Sequence, residues 1–332
     1  MLACVIALAG CDACTPKVIP DLDGTAVDTG PTTTTTDTED TATTEVEDTA
    51  PPQACEHPEV EPNNDPADPE RIELETVICG EFVIQQEGAI ADLDWFTFEV
   101  DDATWIKVDV NAVNLGSSAD PSLYIASEEN HYMLIESDVD STDPKVIFPI
   151  PEGVDDWNLM MAELNSLSGE RYTWEFIVSA TKAPVEWNLD EIEPNDTPEE
   201  ATELTEGDVF FGQYASQDDL EQYYLDPPEG PHEITVKVTA KSEGSAAYNR
   251  LVLSRDKSAD TGDAPIDLDK IATATGGAGT SPDAILTFEA DGSERLYLTL
   301  RENEYNFGPG HWYTIEITSI VEVEATDTGA TQ

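Results

Sequence analysis

With 332 residues the chain is long enough for two domains of ordinary size. Its 71 Asp and Glu against 14 Lys and Arg give a formal net charge of −57. This excludes nucleic acid as a partner and removes electrostatic attraction to anionic lipid headgroups, since both need clustered Lys and Arg. The carboxylate excess suits divalent cations, a basic partner or a saline environment, and the apolar content is still high enough for real cores.

The chain opens "MLACVIALAGCDAC". Leu2–Ala9 is apolar but too short to span a bilayer as a helix. Leu8-Ala9-Gly10-Cys11 resembles the lipobox of bacterial lipoproteins. The resemblance implies a signal peptide over 1–10, cleavage before Cys11, and acyl chains on that residue anchoring the protein to the membrane. It departs from the pattern in lacking a basic segment: no Lys or Arg precedes Lys17. The expected location is the cell envelope, at the outer membrane or cell surface rather than the inner membrane.

Residues 11–54 read as a disordered tether. Residues 25–50 hold twelve Thr interleaved with Asp, Glu and Pro. No apolar periodicity is present to offset the entropy of ordering. A flexible chain of this length has an end-to-end distance of roughly 35 Å, extended further by like-charge repulsion. Residues 325–332 have a similar composition and form a second frayed segment. Of the five Cys, Cys4 falls in the signal and Cys11 carries the lipid. Cys55 and Cys79 flank the start of the first folded region and are expected to pair, a loop closure contributing about 3 kcal/mol in an oxidising compartment. Cys14 is left over.

Two folded regions follow, 55–182 and 183–324, and they repeat one another. "EVEPNNDPAD" (59–68) recurs as "EIEPNDTPEE" (191–200), "CGEF" (79–82) as "FGQY" (211–214), and "DLDWFTF" (92–98) as "DLEQYYL" (219–225). "IKVDV" (106–110) recurs as "ITVKV" (234–238), "SLYIA" (122–126) as "RLVLS" (250–254), "WNLMMAE" (157–163) as "LYLTLRE" (296–302), and "YTWEFIV" (172–178) as "YTIEITS" (313–319). The conserved order marks an internal duplication. The pieces are short, rich in Val, Ile, Tyr, Phe and Trp, and alternate with period two. Ile106, Val108 and Val110 share one face, as do Ile234, Val236 and Val238. Each copy is predicted to be an all-β antiparallel sandwich.

These motifs, in this order and twice over, resemble the bacterial pre-peptidase C-terminal (PPC) domain across about residues 56–322. The family implies a jelly-roll-like sandwich that accompanies secreted enzymes as a non-catalytic accessory module. The collagen-binding domains of clostridial collagenases are similar, and some of those bind calcium.

The repeated phrase is where chemistry is expected. Glu191, Glu193 and Asn195 are spaced by two, so an extended backbone places them on one face. Pro194 biases Glu193 toward that conformation. Calcium takes six to eight oxygen ligands, and Asp196 adds another donor. By resemblance to the calcium-binding relatives, Asp218 and Glu221 complete the set. The first copy offers Glu59, Glu61, Asn63, Asn64 and Asp94. It has Ala91 opposite Asp218, with Asp92 next door, which makes it the weaker site on this pattern. A purely structural reading competes: Thr197, Pro198 and Glu200 form a capping box that starts a helix, with Asp65-Pro66 doing the same in the first copy.

No enzyme signature is present. The four His (His57, His131, His232, His311) are scattered with no HExxH pair, and no GxSxG elbow occurs. The expectation is a non-catalytic envelope lipoprotein that presents two modules to an extracellular protein or polysaccharide, with calcium as its only cofactor. A purely structural envelope component and an accessory subunit of a secreted hydrolase are the alternatives.

Overall fold

The computed structural model describes residues 55, 57–83, 92–100, 104–127, 132–135, 143–164, 166–257, 266–276, 281–304 and 306–323. The lipobox with Cys11, the Thr-rich segment with Cys14, and residues 325–332 lie outside these.

The alternating stretches form strands as their periodicity requires. In chain order they are β1 (His57–Pro58), β2 (Glu70–Arg71), β3 (Val77–Glu81), β4 (Leu93–Glu99), β5 (Trp105–Asn111), β6 (Pro121–Ser127), β7 (Tyr132–Ile135), β8 (Lys145–Pro149), β9 (Asp156–Glu163) and β10 (Thr173–Thr181). The second copy supplies β11 (Leu189–Asp190), β12 (Thr202–Glu203), β13 (Val209–Gln213), β14 (Glu221–Leu225), β15 (His232–Thr239), β16 (Asn249–Asp256), β17 (Leu268–Thr275), β18 (Ala284–Ala290), β19 (Leu296–Glu302) and β20 (Trp312–Glu322). Among the described residues each copy builds two five-stranded sheets. The orders are β1-β3-β10-β5-β8 and β2-β4-β9-β6-β7, then β11-β13-β20-β15-β18 and β12-β14-β19-β16-β17. Adding ten to each label converts the first pair of orders into the second, so the duplication is one of topology as well as sequence.

The sheets are antiparallel except at one edge. The two-residue strands β1, β2, β11 and β12 pair in parallel with β3, β4, β13 and β14. Inward side chains from facing sheets fill the two cores. Ile106, Val108 and Val110 are buried and Lys107 and Asp109 turn outward, as the alternation requires. The first core is built on Phe82, Phe96, Phe148, Trp157, Trp174 and Phe176. The second places Tyr214, Tyr223 and Tyr313 among Leu, Ile and Val. A third apolar cluster joins the copies: Trp105 and Ile147 of the first meet Trp312 of the second, with Val185, Trp187 and Phe211 packed around them. Trp312 Nε1 donates to Ile147 O (2.6 Å), and Ile147 N donates to Gly244 O (2.7 Å). Gly244 sits at φ 95°, and a Cβ there would stand 2.9 Å from the Ile147 side chain. The residue thus meets both the left-handed backbone and the close approach that favour glycine.

Two sequence expectations are corrected. No helix follows Thr197: residues 198–200 make one turn, closed by Glu200 N to Thr197 O (3.0 Å) and Thr197 Oγ1 to Glu200 Oε2 (2.9 Å), and the chain then enters β12. The capping residues are real, but nothing downstream presents an apolar helical face, so the turn does not propagate. The last strand pair is matched two residues off. Gly80 lies opposite Trp174, and Gly212 opposite Tyr313. Trp174 therefore corresponds to Tyr313, and "WEFIV" (174–178) to "YTIEI" (313–317).

Candidate metal centres

Each sandwich begins with the same short passage. After β1 the chain turns inward: Glu59 N donates to Cys79 O (2.9 Å), and Glu59 Oε1 accepts from Glu81 N (2.9 Å). After β11, Glu191 N donates to Phe211 O (2.9 Å), and Glu191 Oε1 accepts from Gln213 N (2.9 Å). The next Glu closes a tight loop through its own carboxylate. Glu61 Oε2 accepts from Asn63 N, and Glu193 Oε2 from Asn195 N, each at 3.0 Å. The Glu61-Pro62 and Glu193-Pro194 peptide bonds are both cis. The loop is then pinned to the neighbouring strand. Trp95 N donates to Asn63 O and Gln222 N to Asn195 O, both at 3.0 Å. Leu93 N donates to Asn64 Oδ1 (3.2 Å), and Leu220 N to Asp196 Oδ1 (3.1 Å).

The result is two equivalent wells. Carboxylate oxygens of Glu59, Glu61 and Asp94 lie within 4.8 Å of one another, as do those of Glu191, Glu193 and Glu221. Asp94 and Glu221 rise from matching positions on β4 and β14 and are fully buried. So are Asn63 and Asn195, at 1% and 0% exposure. Buried polar atoms are normally paired, yet both oxygens of Asp94 and of Glu221, and both side-chain polar atoms of Asn63 and of Asn195, make no hydrogen bond of normal geometry among the described residues. Glu59 Oε2 and Glu61 Oε1 are orphaned too.

Electrostatics agrees with geometry. Burial pushes Asp94 up to about 10, and the charge of Glu59 adds to the effect. Burial likewise raises Glu59 to about 8. Glu221 is pushed up to about 10 by burial and then by Glu191, and burial raises Glu191 and Glu193 as well. Three converging carboxylates cannot all ionise in such a site without a compensating cation. The donors are all oxygen, with no His or Cys, which suits a hard cation such as calcium rather than zinc.

The structure brings Glu191, Glu193 and Glu221 together, and likewise Glu59, Glu61 and Asp94; buried Asn195 and Asn63 adjoin them through their backbone N–H on Glu193 and Glu61. Asp218, expected in the set, is exposed and outside the group. Its neighbour Asp219 is half-buried and accepts from Ala215 N. Asp92 accepts from Val83 N at the equivalent place. Asn64 Oδ1 and Asp196 Oδ1 hold the loop to the strand, and Asn64 Nδ2 also donates to Glu61 Oε2 (3.4 Å). The missing counterpart of Asp218 is therefore no deficiency of the first well. Sequence reading did not find Tyr313, whose hydroxyl donates to Glu191 Oε2 (2.7 Å). Its only signal was the aromatic opposite Gly212, hidden by the register error.

No family model and no curated protein matches this chain. Among solved structures the chain is similar to the pre-peptidase C-terminal domain of collagenase from Bacillus anthracis, the family its motifs resemble. The identity is 20%, with 35% of this chain and 100% of that one covered, at a TM-score of 0.28. It is also similar to the tandem CBM22 domains of Xyn10C from Paenibacillus barcinonensis, at 12% identity, covering 69% and 83%, TM-score 0.25. A third likeness is to the tandem CBM51 modules of a family 98 glycoside hydrolase from Streptococcus pneumoniae, at 7% identity, covering 69% and 81%, TM-score 0.18.

Proposed function

We propose that this chain is a non-catalytic binding protein whose two β-sandwiches each hold a calcium ion, displayed from the cell envelope on an acidic, lipid-anchored tether. The observation that carries the reading is the orphaned, buried oxygen set in each well. Asp94, Glu221, Asn63 and Asn195 are closed off from solvent, so what they can take is an ion and not a substrate. The ion would bridge the leading segment (Glu59, Glu61, Asn63; Glu191, Glu193, Asn195) to β4 or β14 (Asp94; Glu221). Its part is to fix the entry of each sandwich. The sandwich surfaces, strongly acidic overall, are left to meet an extracellular protein or polysaccharide. The apolar seam of Trp105, Ile147 and Trp312 favours a second reading, in which the duplication makes a stiff spacer and the contact surface belongs elsewhere.

The test is a thermal melt of the metal-free chain with and without calcium. A ligand that binds only the folded state stabilises by about 2.7 kcal/mol at a hundredfold excess over its dissociation constant. Calcium is expected to raise the midpoint, and Asp94→Asn with Glu221→Gln together to remove the rise. No rise at millimolar calcium would sink the proposal.

A further inference from the structure

The two wells share a backbone cradle but differ in what stands behind it. Gly80 and Gly212 leave room for an aromatic side chain and a glutamate to meet. A Cβ at Gly80 would lie 2.2 Å from the Trp174 ring and 2.4 Å from the Glu59 carboxyl carbon. A Cβ at Gly212 would lie 2.3 Å from both Glu191 Oε2 and the Tyr313 hydroxyl. In the first sandwich that aromatic is Trp174, with Phe96 beyond it on β4 (ring centroids 5.9 Å). Trp174 Nε1 and Glu59 Oε2 are both buried and both without a partner among the described residues. In the second sandwich the same positions carry hydroxyls. Tyr313 donates to Glu191 Oε2 (2.7 Å). Since its proton is committed there, Tyr223 donates to Tyr313 across their 3.0 Å contact. With Gln213 N on Oε1, both oxygens of Glu191 are held, whereas Glu59 is held by one.

We infer that Tyr313 positions Glu191 in the second well, and that the second well therefore takes up a divalent cation ahead of the first. This rests on the reading of the wells as cation sites. The physical reason is pre-orientation. A carboxylate oxygen has lone pairs for both a hydroxyl and an ion, so the Tyr223–Tyr313–Glu191 relay survives binding. It spares the ion the entropy of ordering that ligand. Partners behind a ligand are typically worth 10–100-fold in metal affinity.

The experiment is a calcium titration of the full chain by calorimetry, with terbium luminescence in parallel. Two binding steps are expected. Glu221→Gln removes the tighter and Asp94→Asn the looser, which assigns them. Tyr313→Phe, which deletes only the hydroxyl, is expected to weaken the tighter step 10–100-fold and leave the looser one unchanged. In the wild type the first terbium bound should be sensitised through tyrosine, and the later one through Trp174. In Tyr313→Phe that order should collapse or reverse, which a general loss of stability would not produce. If Tyr313→Phe does not fold, Tyr223→Phe removes the far end of the relay and should give a smaller loss in the same step. Steps of equal affinity, a tighter first well, or a substitution that moves both steps alike or neither would overturn the inference while leaving the wells as cation sites. No binding at either well would remove the reading beneath it.

Discussion

Trp187 stacks on Phe211 with ring centroids 4.6 Å apart, at the positions that Cys55 and Cys79 occupy in the first sandwich. The correspondence follows from the ladders: β1 places Pro58 against Cys79, and β11 places Asp190 against Phe211. The same leading segment is thus fastened in two ways. Where it follows the Thr-rich stretch, the Cys55–Cys79 disulfide ties it down. Where it links the sandwiches, a stack continuing into Trp105 and Trp312 does so.

Removing the covalent clasp should therefore act on one copy only. The bond closes a sequence separation of 24, and Cys55→Ser with Cys79→Ser should cost the first sandwich about 3 kcal/mol. The first well's affinity for calcium should fall as well, because Glu59 N is bonded to Cys79 O and the loss loosens that contact. The second well is expected to keep its affinity, and calorimetric titration of the double variant checks both halves. An equal fall in the two wells would contradict this account.

The aromatic seam should make the two copies unfold together. Trp312 is fully buried and donates to Ile147 O. Trp312→Ala should cost about 3–5 kcal/mol through the lost burial. It should also split one cooperative denaturation transition into two, read by intrinsic fluorescence against circular dichroism. A single transition with an unmoved midpoint would show that the seam carries no coupling.

In metal-free protein the wells predict a pH dependence of definite sign. Folding raises Glu59 from 4.5 to about 8, Asp94 from 3.8 to about 10 and Glu221 from 4.5 to about 10. Groups with raised folded values bind protons more tightly folded than unfolded, so they favour the fold at low pH and lose that contribution as pH rises toward the folded values. The metal-free chain should melt at falling temperature from about pH 5 to about pH 8. At the proposed sites calcium would replace those protons, so the loaded chain should show a flat or rising midpoint, with proton release on binding. Parallel melts across that range distinguish the two, and identical slopes with and without calcium would count against the wells.

Ligand assignment separates neighbours in sequence. Asp218→Asn should leave the calcium-induced shift in melting temperature unchanged, because Asp218 is exposed and outside the group. Asp219→Ala should lower stability with or without calcium, because it removes the acceptor for Ala215 N. Glu221→Gln should abolish the second well's share of the shift.

Much of the site was legible in residue order. Glu191, Glu193 and Asn195, spaced by two, could be read as oxygen donors on one face, and Glu59, Glu61 and Asn63 likewise; Glu221, and Asp94 at its matching position, entered through the resemblance to the calcium-binding relatives. Asp218 and Asp219 could not be ranked, since adjacent residues at a strand entry point in different directions and only the backbone path says which turns inward. The register of β20 was missed for a related reason. A slip of two residues keeps every side chain on its own face, so alternation alone cannot tell "YTIEI" from its neighbour two places on. The glycine opposite Tyr313 decides it.

The all-β class, the duplication and its inward faces are legible in residue order, because strand periodicity and the order of short motifs are local and survive in one dimension. Folding alone brings Tyr313 to Glu191 and Trp105 to Trp312, and leaves buried Asp94 and Asn63 without partners among the described residues. These contacts join residues far apart in the chain, and their energies depend on what burial removes from water. No local pattern encodes that quantity.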